Sequence, residues 1–354
     1  MQEVTVLLTG AGGPGGPGII QSLRLARDKK MRIVATDMDR QSVASGLADA
    51  FYVVPKALDD SFIPTILDIA KKESVQVILL LNTAELLKFA EHKKLFEKEG
   101  IEVSVSDTQG LTIANDKHLL MEKAKALGVP VPEFYLVKNT DELIAVATKL
   151  GYPEKKVCVK PPVSNGSRGF RVLDAKVDPF DIFLNRKPEN VETTLEDLVT
   201  ILKTAKEFHS LLVMEYLPGK EYGVDALANH GKPIVVIPRT RDKMKMGVSF
   251  AATLVNHEQI IRDCQQLIEE LSLNGNIGFQ FKEDAQGVAK LIESNPRLQG
   301  TVVVNTAGGA NLVEMAVASA LGEEVAKPSV RWGTSMIRYW QEQYFNAHGK
   351  PFSL

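Results

Sequence analysis

Apolar runs alternate with helical patterns over the first third of the chain. Glu3 to Thr9 is one continuous apolar run, and residues 32–37, 75–81 and 101–104 form three more, with helix-favouring segments between them. Continuous apolar runs are typical of strands that are covered on both faces, as in a parallel sheet with crossover helices. The pattern therefore predicts a small α/β domain over residues 1–113.

A glycine-rich loop follows the first apolar run and leads into a helix that the pattern extends to about Lys30. Gly10, Gly12 and Gly15 match the G-x-G-x-x-G spacing of a dinucleotide-binding loop in its strand–loop–helix context. Asp37 ends the next strand, where an acid could bind a ribose. Two prolines in the loop remove N–H donors that a pyrophosphate would need. A dinucleotide-dependent oxidoreductase is one interpretation, and a glycine loop without a dinucleotide is the other.

A predicted β-hairpin near the end of the chain carries the most informative polar pattern. A turn at residues 283–288 joins two β-prone segments. Because side chains alternate along a strand, Glu293, Asn295 and Arg297 fall on one face, and Gln280 faces them in a register that depends on the turn. Three oxygen ligands on one surface suit Mg²⁺, because phosphates and water complete its shell. A solvated hairpin is the alternative for this segment alone.

Two lysines and a loop of small residues suit the phosphates of a nucleotide. Lys117 begins a helix that Asn115 or Asp116 can cap, and Lys160 ends an apolar strand. Small residues with accessible N–H groups can approach phosphates closely, although the loop lacks the G-x-x-x-x-G-K-[ST] pattern. A surface lysine and a flexible hairpin loop are the alternatives for these segments alone. The small residues of the loop are Ser164, Gly166, Ser167 and Gly169.

Composition narrows the classes of partner. Lys and Arg total 42 against 44 for Asp and Glu, a net charge of −2, which predicts no bulk attraction to nucleic acid or to anionic membranes. No apolar run approaches the roughly 20 residues that span a bilayer, and the N-terminus is unlike a signal peptide. Cys158 and Cys264 form no disulfide framework and are expected to be buried thiols. These features predict a cytoplasmic protein that binds neither nucleic acid nor membrane; a homodimer stays open.

Five segments occur in an order that resembles the ATP-grasp superfamily, in particular one half of a carbamoyl phosphate synthase large subunit. Among them, residues 214–225 carry the pattern M-E-x-x-x-G-x-E-x-x-V-D, which is fairly specific. The resemblance covers residues 1–322. The five segments are Lys117, Lys160 with its loop, Glu215 to Glu221, Gln280, and Glu293 to Arg297.

The resemblance implies an α/β fold with two main parts. An N-terminal Rossmann-like parallel-sheet domain over residues 1–113 precedes an α+β ATP-grasp fold over residues 114–322. In that fold, residues 114–210 carry the phosphate loop, and residues 211–322 carry the metal and substrate groups. The C-terminal segment, residues 323–354, is expected to pack on the ATP-grasp domain.

The resemblance also implies roles in binding ATP. Lys117 and Lys160 would hold the phosphates, and the loop of small residues would cover them. The backbone of Glu215, Tyr216 and Leu217 would bind adenine, and Glu221 would bind the ribose.

Further implied roles concern the metal and the reacting groups. Arg297 would stabilise an acyl phosphate, with Lys160 as the second catalytic residue. The loop Asn82 to Leu86, which follows a predicted strand, either caps a helix or faces the active site. Mg²⁺ or Mn²⁺ would be held by Gln280, Glu293 and Asn295.

The implied activity is an ATP- and Mg²⁺-dependent ligation of a carboxylate to an amine or ammonia through an acyl phosphate. Two departures matter: a second synthase half is missing from this sequence, and Ser249 stands near where a histidine is expected. Arg239 and Arg241 face either an acidic substrate or solvent. The alternatives are carbamoyl phosphate synthase-like activity, a nucleotide-binding protein without ligase turnover, and the dinucleotide-dependent oxidoreductase.

Overall fold

The structure is a computed structural model that describes residues 3–164, 166, 168–186, 191–245 and 247–352. Its strands and helices alternate along most of the chain. Two short 3₁₀ helices complete the set, at Val43–Gly46 and Thr83–Glu85. The strands are β1 Glu3–Thr9, β2 Lys30–Asp37, β3 Ala50–Val53, β4 Val77–Leu80, β5 Glu102–Ser104, β6 Phe134–Val137, β7 Val157–Lys160, β8 Arg171–Leu173, β9 Glu192–Thr193, β10 Leu211–Glu215, β11 Glu221–Asn229, β12 Lys232–Lys245, β13 Val248–Leu254, β14 Gly275–Glu283, β15 Ala289–Asn295, β16 Ser335–Ile337, β17 Tyr344–Phe345 and β18 Pro351–Phe352. The helices are α1 Gly16–Arg24, α2 Phe62–Lys72, α3 Leu86–Glu97, α4 Thr108–Asn115, α5 Lys117–Ala126, α6 Thr140–Lys149, α7 Pro179–Asn185, α8 Leu195–Leu202, α9 Glu258–Glu270, α10 Val303–Ala307 and α11 Leu312–Ala320.

The chain forms two compact units that are interleaved along the sequence. Unit 1 contains the residues up to Asn115, Tyr222–Gln280, and the residues from Ser294 onward. Unit 2 contains Asp116–Glu221 and Phe281–Glu293. Neither compact unit is a single stretch of chain, so the two units do not correspond one to one with the three domains predicted from the sequence. That division into three domains stays a prediction.

A five-stranded parallel sheet forms the N-terminal part of unit 1, in the order β3-β2-β1-β4-β5. Successive residues of β1 are buried on opposite faces. Val6 and Leu8 join one apolar cluster with Ile19 of α1, whereas Leu7 joins a second cluster with Phe62 of α2. Burial on both faces explains the continuous apolar run in the sequence, since each such side chain stabilises the fold by about 1.5–3 kcal/mol. The predicted parallel sheet is confirmed.

A six-stranded sheet has the order β15-β14-β11-β12-β13-β16, and its long antiparallel strands β12 and β13 lie in unit 1. Leu227 of β11 and Ile237 of β12 lie in the same apolar cluster as β1 and α1. Helices α10 and α11 contribute Val304 and Leu312 to that cluster. Because one core serves both sheets, residues distant in sequence form a single unit.

Unit 2 is a five-stranded mixed sheet in the order β6-β10-β7-β8-β9, in which only the β8–β9 pair is parallel among the described pairs. Its two faces pack against different clusters. Val159 of β7 packs with Leu143 of α6 and Leu198 of α8, whereas Cys158 packs with Met214 and Met121. Because its side chains alternate between two packed faces, β7 is buried on both sides. Its last residue therefore lies at the end of a buried strand.

Two expectations from composition can be compared with the structure. None of the helices in the described part of the chain combines the length and apolar character needed to cross a bilayer. Cys158 and Cys264 are buried free thiols, as predicted. Burial raises the pKa of the Cys158 thiol to about 11, which keeps it protonated near neutral pH.

The glycine loop after β1 is packed against unit 1 itself. Gly12 N donates to Asp37 Oδ2 at 2.7 Å, so the acid that could have bound a ribose holds the loop instead. A Cβ atom on Gly15 would lie 2.2 Å from Gly300 Cα, and one on Gly16 would lie 1.8 Å from Ala11 O. Close packing within the protein accounts for these glycines. Packing within the protein therefore explains the glycine spacing and Asp37, which had suggested a dinucleotide site.

Substituting Gly16→Ala tests this packing. We expect the free energy of unfolding to fall by about 1–3 kcal/mol, because the added methyl group meets backbone that cannot move aside. Gly13→Ala is the matched control, since its Cβ would meet nothing closer than Gly10 O at 3.4 Å. Its effect should stay below about 1 kcal/mol. Urea unfolding measures both variants, and equal losses would contradict the packing argument.

Candidate functional site

Two buried lysines of unit 2 converge near the loop that follows β7. Lys117 is the first residue of α5, and Lys160 is the last residue of β7. Lys117 Nζ donates to Ser164 O at 2.8 Å and lies 3.9 Å from Glu293 Oε2. Lys160 Nζ donates to Ile292 O at 3.0 Å. The structure therefore brings together both predicted phosphate lysines, one residue of the predicted loop and the predicted metal carboxylate.

Local sequence explains how these lysines are placed. Asp116 caps α5, accepting hydrogen bonds from His118 N and Leu119 N at 2.8 and 3.1 Å. The cap fixes where the helix begins, and hence the direction of its first side chain, that of Lys117. Lys160 is carried by a strand that is buried along its length.

Burial dominates the electrostatics of the two lysines. It lowers the pKa of Lys160 to about 8, and the Lys117 charge adds to this effect while Glu293 opposes it. The pKa of Lys117 is also lowered by burial, against the attraction of Glu293. Removing ammonium groups from water disfavours their charged form, so a phosphate group placed beside them would restore it.

The loop between β7 and β8, which is predicted to cover the phosphates, contains two glycines in the left-handed conformation. Gly166 and Gly169 have positive φ angles of 60° and 74°. A Cβ atom on Gly169 would also lie 2.7 Å from Pro161 Cδ. Ser164 meets Lys117 as described, whereas the predicted contact of Ser167 lies outside the described residues. Glycine is required where the chain adopts this left-handed conformation.

The predicted adenine linker connects β10 to β11. The Glu215 carboxylate accepts from Lys290 Nζ at 2.9 Å and from Glu133 N at 3.1 Å, and Glu215 N donates to Glu133 O at 2.8 Å. Tyr216 is half-buried and Leu217 is buried. Glu221, at the start of β11, raises the pKa of Lys160. The predicted ribose acid therefore acts on the same lysine as the predicted metal carboxylate.

A cavity of about 1020 Å³ lies beside this linker in unit 2. Lys156, Glu215, Tyr216 and Lys290 are among the residues that line it. Its lining includes neither Lys117 nor Lys160, so it is separate from the lysine pair. Two of its lining residues, Lys290 and Glu215, form an ion pair with each other.

Two of the predicted metal ligands lie in unit 1, and each is bonded to an arginine. Gln280 Oε1 accepts from Arg241 Nη1 at 2.7 Å, and Asn295 Oδ1 accepts from Arg297 Nη2 at 3.2 Å. Glu293 stands two residues before Asn295 on β15 but belongs to unit 2. Each amide oxygen has a second lone pair, and oxygen donors suit a hard cation. The residue types therefore fit Mg²⁺, and their joint role as ligands stays a prediction.

The turn of the β14–β15 hairpin has a three-residue tip. Asp284 N donates to Val288 O at 3.0 Å, and Gly287 N donates to Asp284 O at 3.1 Å. Gly287 has a φ of 81°, as a bulged turn requires. Among the described residues, no group of three or more His, Cys, Asp and Glu side chains is placed to hold a metal. A metal would therefore depend on a mixed set of amide and carboxylate oxygens.

Arg297 is anchored by the loop that follows β4. Arg297 Nε donates to Thr83 Oγ1 at 2.8 Å, and Nη1 donates to Leu298 O at 2.8 Å. Asn82 accepts from Ala84 N at 3.1 Å and so caps the short 3₁₀ helix that contains Thr83. Asn82 therefore caps a helix, as one interpretation predicted, while Thr83 contacts the predicted catalytic arginine; that the loop faces an active site stays a prediction.

Glu85, at the end of the same loop, is a buried carboxylate that the sequence did not single out. It accepts a hydrogen bond from Thr9 Oγ1 at the end of β1. The strand order reverses between β1 and β4, and such reversals are where ligands bind in open α/β sheets. Burial raises its pKa to about 7; nearby Asp37 adds to the rise, and Arg297 opposes it.

Three arginines from distant positions in unit 1 meet the segment Arg297–Gly300. Arg297 begins the segment, Arg239 Nη2 donates to Gln299 Oε1 at 3.0 Å, and Arg338 Nη2 donates to Gly300 O. Arg338 lies in the C-terminal segment, and no motif in the sequence marked it. The convergence concentrates positive charge beside the predicted acyl phosphate residue.

The titration of Glu85 generates a stability test. Its carboxyl pKa is raised from 4.5 to about 7, so between these values the folded state holds a proton that the unfolded state lacks. The stabilisation is complete below pH 4.5 and is lost as the pH rises through 7, by up to about 3 kcal/mol. Glu85→Gln should abolish this fall in the free energy of unfolding. The control is Glu91→Gln on the exposed side of α3, and the same slope in all three proteins would contradict the assignment.

Two family models match the chain. One, described as ATP-grasp in the biosynthetic pathway with Ter operon, matches residues 207–342. The other, described as PylC-like, N-terminal domain, matches residues 6–104. The first match begins in the predicted ATP-grasp part and extends into the predicted C-terminal segment, and the second falls in the predicted N-terminal domain.

Curated relatives include carbamoyl phosphate synthase large chains. That of Lachnoclostridium phytofermentans is 27% identical over 319 residues, which cover 86% of this chain and 26% of the relative. That of Agathobacter rectalis is 25% identical over 303 residues, which cover 82% of this chain and 25% of the relative. This chain thus spans about a quarter of the length of these relatives.

Solved structures share the fold at low sequence identity. The biotin carboxylase domain of Hydrogenobacter thermophilus 2-oxoglutarate carboxylase has a TM-score of 0.69 at 19% identity, covering 95% of this chain and 74% of that one. The purK N5-carboxyaminoimidazole ribonucleotide synthetase has a TM-score of 0.66 at 16% identity, covering 93% and 80%. The predicted fold class is confirmed. The predicted resemblance to the ATP-grasp superfamily, and in particular to a single half of the carbamoyl phosphate synthase large chain, is confirmed.

Proposed function

We propose that this protein is an ATP- and Mg²⁺-dependent ligase that joins a carboxylate to an amine or ammonia and releases ADP and phosphate. The observation that carries the proposal is the convergence of Lys117 and Lys160 with Glu293 in unit 2. Two structures with the same fold support it, since one is a complex with MgADP, ADP and bicarbonate and the other is a complex with ADP.

In this proposal, unit 2 supplies the residues that bind the nucleotide. Lys117 and Lys160 hold its phosphates, because both are cations held close together by burial and by bonds to carbonyl oxygens. The loop with Ser164, Gly166 and Gly169 donates backbone N–H groups. The linker binds adenine through the backbone of Glu215, Tyr216 and Leu217, and Glu221 binds the ribose.

The proposed metal ligands are Gln280, Glu293 and Asn295, which offer only oxygen atoms. A bound Mg²⁺ or Mn²⁺ would neutralise charge that develops on the phosphoryl oxygens. Glu293 lies near Lys117 at 3.9 Å, so it also limits the repulsion between the two lysines.

The acceptor chemistry proceeds in two displacements. A carboxylate oxygen of the acid attacks the γ-phosphorus of ATP, forming an acyl phosphate while ADP leaves. The amine nitrogen then attacks the acyl carbon, the C–O bond to phosphate breaks, and the nitrogen loses a proton to give the amide. Arg297, oriented by Thr83 and by its own neighbour Leu298, stabilises the negative charge of the acyl phosphate.

The principal alternative is carbamoyl phosphate synthase-like activity, which the curated relatives favour. Ser249 stands where the resemblance leads one to expect a histidine, and this argues for a different acceptor. A nucleotide-binding protein without turnover is the other alternative. A homodimer is proposed because the biotin carboxylase domain with this fold is described as a dimer. Cytoplasmic location stays a prediction.

Product analysis tests the reaction type. Purified protein with ATP and Mg²⁺ is screened against pairs of carboxylic acids and amines while ADP release is followed. We expect ADP and phosphate in equal amounts with a productive pair, and little of either without the acid, because phosphate is lost only from the acyl phosphate. AMP and pyrophosphate would rule out this route, and rapid carbamoyl phosphate formation from bicarbonate and ammonia would favour the alternative.

Substitution of Glu293→Gln tests the metal role. Turnover should fall by about 100-fold or more, because an amide supplies no charge to bind the cation. Affinity for MgADP should fall in calorimetry, whereas affinity for metal-free ADP should not. Glu154→Gln, at an exposed turn of the same unit, is the matched control and should behave as the unmodified protein. Unchanged MgADP affinity in Glu293→Gln would remove this residue from the proposed site.

A further inference from the structure

Two arginines of unit 1 share one buried serine. Ser249 lies on β13 and is 3% exposed. Its hydroxyl accepts from Arg241 Nε at 3.2 Å, and its carbonyl oxygen accepts from Arg338 Nε at 3.1 Å. One guanidinium comes from β12 and the other from the segment after β16, so residues distant in sequence place two positive charges at one point.

Neutral oxygen atoms hold both side chains in position. Arg241 donates to Gln280 Oε1 at 2.7 Å and to Gly247 O at 3.1 Å. Arg338 donates from Nη1 to Pro14 O at 3.2 Å and from Nη2 to Gly300 O. A guanidinium carries five N–H groups, and each of its terminal nitrogens carries two. The described bonds of Arg338 use each of its nitrogens once, so further N–H groups remain on both terminal nitrogens.

A third arginine, which is paired with a buried acid, also acts on Arg338. Arg239 precedes Arg241 by two residues on β12 and is buried against Asp225, with Nε 3.0 Å from Asp225 Oδ2. Burial lowers the pKa of Arg338, and the Arg239 charge lowers it further. Like charges held close in a partly buried region repel each other, and an anion bound there would reduce that repulsion.

The cluster of Arg241 and Arg338 at Ser249 is connected to the segment that begins at Arg297, and this connection bears on the kind of anion that the cluster would bind. Arg338 is tied to Gly300, the last residue of the segment that Arg297 begins. Arg297 has its own separate bonds, to Thr83, Leu298 and Asn295. Unit 1 therefore holds two separate sets of arginine contacts, one at Arg297 and one at the serine that Arg241 and Arg338 share.

We propose that the acceptor is a diacid or polyacid, of which one carboxylate reacts beside Arg297 while a second acid group is bound by Arg241 and Arg338 next to Ser249. The inference rests on the proposed ligase function and specifies its substrate class. Guanidinium groups suit this task because each can bind a carboxylate through two parallel N–H···O bonds.

Binding of simple acids tests the inference without requiring turnover. The full-length protein is titrated in a calorimeter with malonate, succinate and glutarate, and with monocarboxylates of the same carbon number. At least one diacid should bind about 10-fold or more tightly than its matched monoacid, because only the diacid can satisfy both places. The absence of any such preference at all three chain lengths would overturn the proposal.

Variants locate the preference on the two arginines. Arg241→Gln and Arg338→Gln should each reduce the affinity for the diacid by about 10-fold while leaving the affinity for its monoacid unchanged. Arg262→Gln, which removes an exposed arginine of α9 paired with Glu258, is the matched control. Thermal unfolding identifies any variant that does not fold. If Arg241→Gln does not fold, Arg241→Lys, which keeps the charge but loses the planar donor group, replaces it. A preference that survives in both folded variants would also overturn the proposal.

These experiments distinguish a failure of the diacid proposal from a failure of the ligase proposal. If diacids bind through the two arginines but no acid supports ADP release, the acid site stands and the ligase proposal fails. If ADP release occurs only with monocarboxylates, the ligase proposal stands and the diacid proposal fails. With a productive diacid, Arg338→Gln should raise the KM for the acid about 10-fold with little change in the KM for ATP.

Discussion

The buried ion pair between Asp225 and Arg239 is the constraint on which the polar side of unit 1 depends. Both side chains are almost fully buried, and Asn305 Nδ2 donates to the same carboxylate oxygen at 2.9 Å. Gln299 accepts from Arg239 on the other side at 3.0 Å. Gly223 stands directly opposite Arg239 in the β11–β12 ladder, and a Cβ atom there would lie 2.3 Å from Arg239 Nη1. Losing one partner would leave an unpaired buried charge, at about 3–5 kcal/mol.

The two units carry charge for different purposes in the proposed reaction. Unit 2 buries Lys117 and Lys160, whose lowered pKa values show how strongly burial disfavours their charge. Unit 1 holds Arg241, Arg297 and Arg338, which keep their charge under almost any condition because the guanidinium is a very weak acid. Lysines whose charge burial disfavours gain stability when a polyanion binds beside them, whereas arginines with their planar donor groups suit acid groups that must be oriented.

Signals confined to a few residues were predicted well. The apolar run Glu3–Thr9 is β1, Asp116 caps α5, and Lys160 ends β7, because hydrophobic period and capping chemistry act over a few residues. Boundaries that depend on the next element along the chain were less accurate. The first helix ends at Arg24, well before the predicted limit, because β2 already begins at Lys30.

The sequence by itself determined the parallel sheet and the resemblance to the ATP-grasp superfamily, because these are encoded in periodicity and in motifs that lie within short stretches of chain. Only the tertiary structure decided which side chains meet. Arg338 bonds Ser249 across 89 positions, and Glu85 bonds Thr9 across 76. The pKa of Glu85, like that of Lys160, is set mainly by removal from water. Burial is a property of the whole packed chain, so no local pattern encodes it.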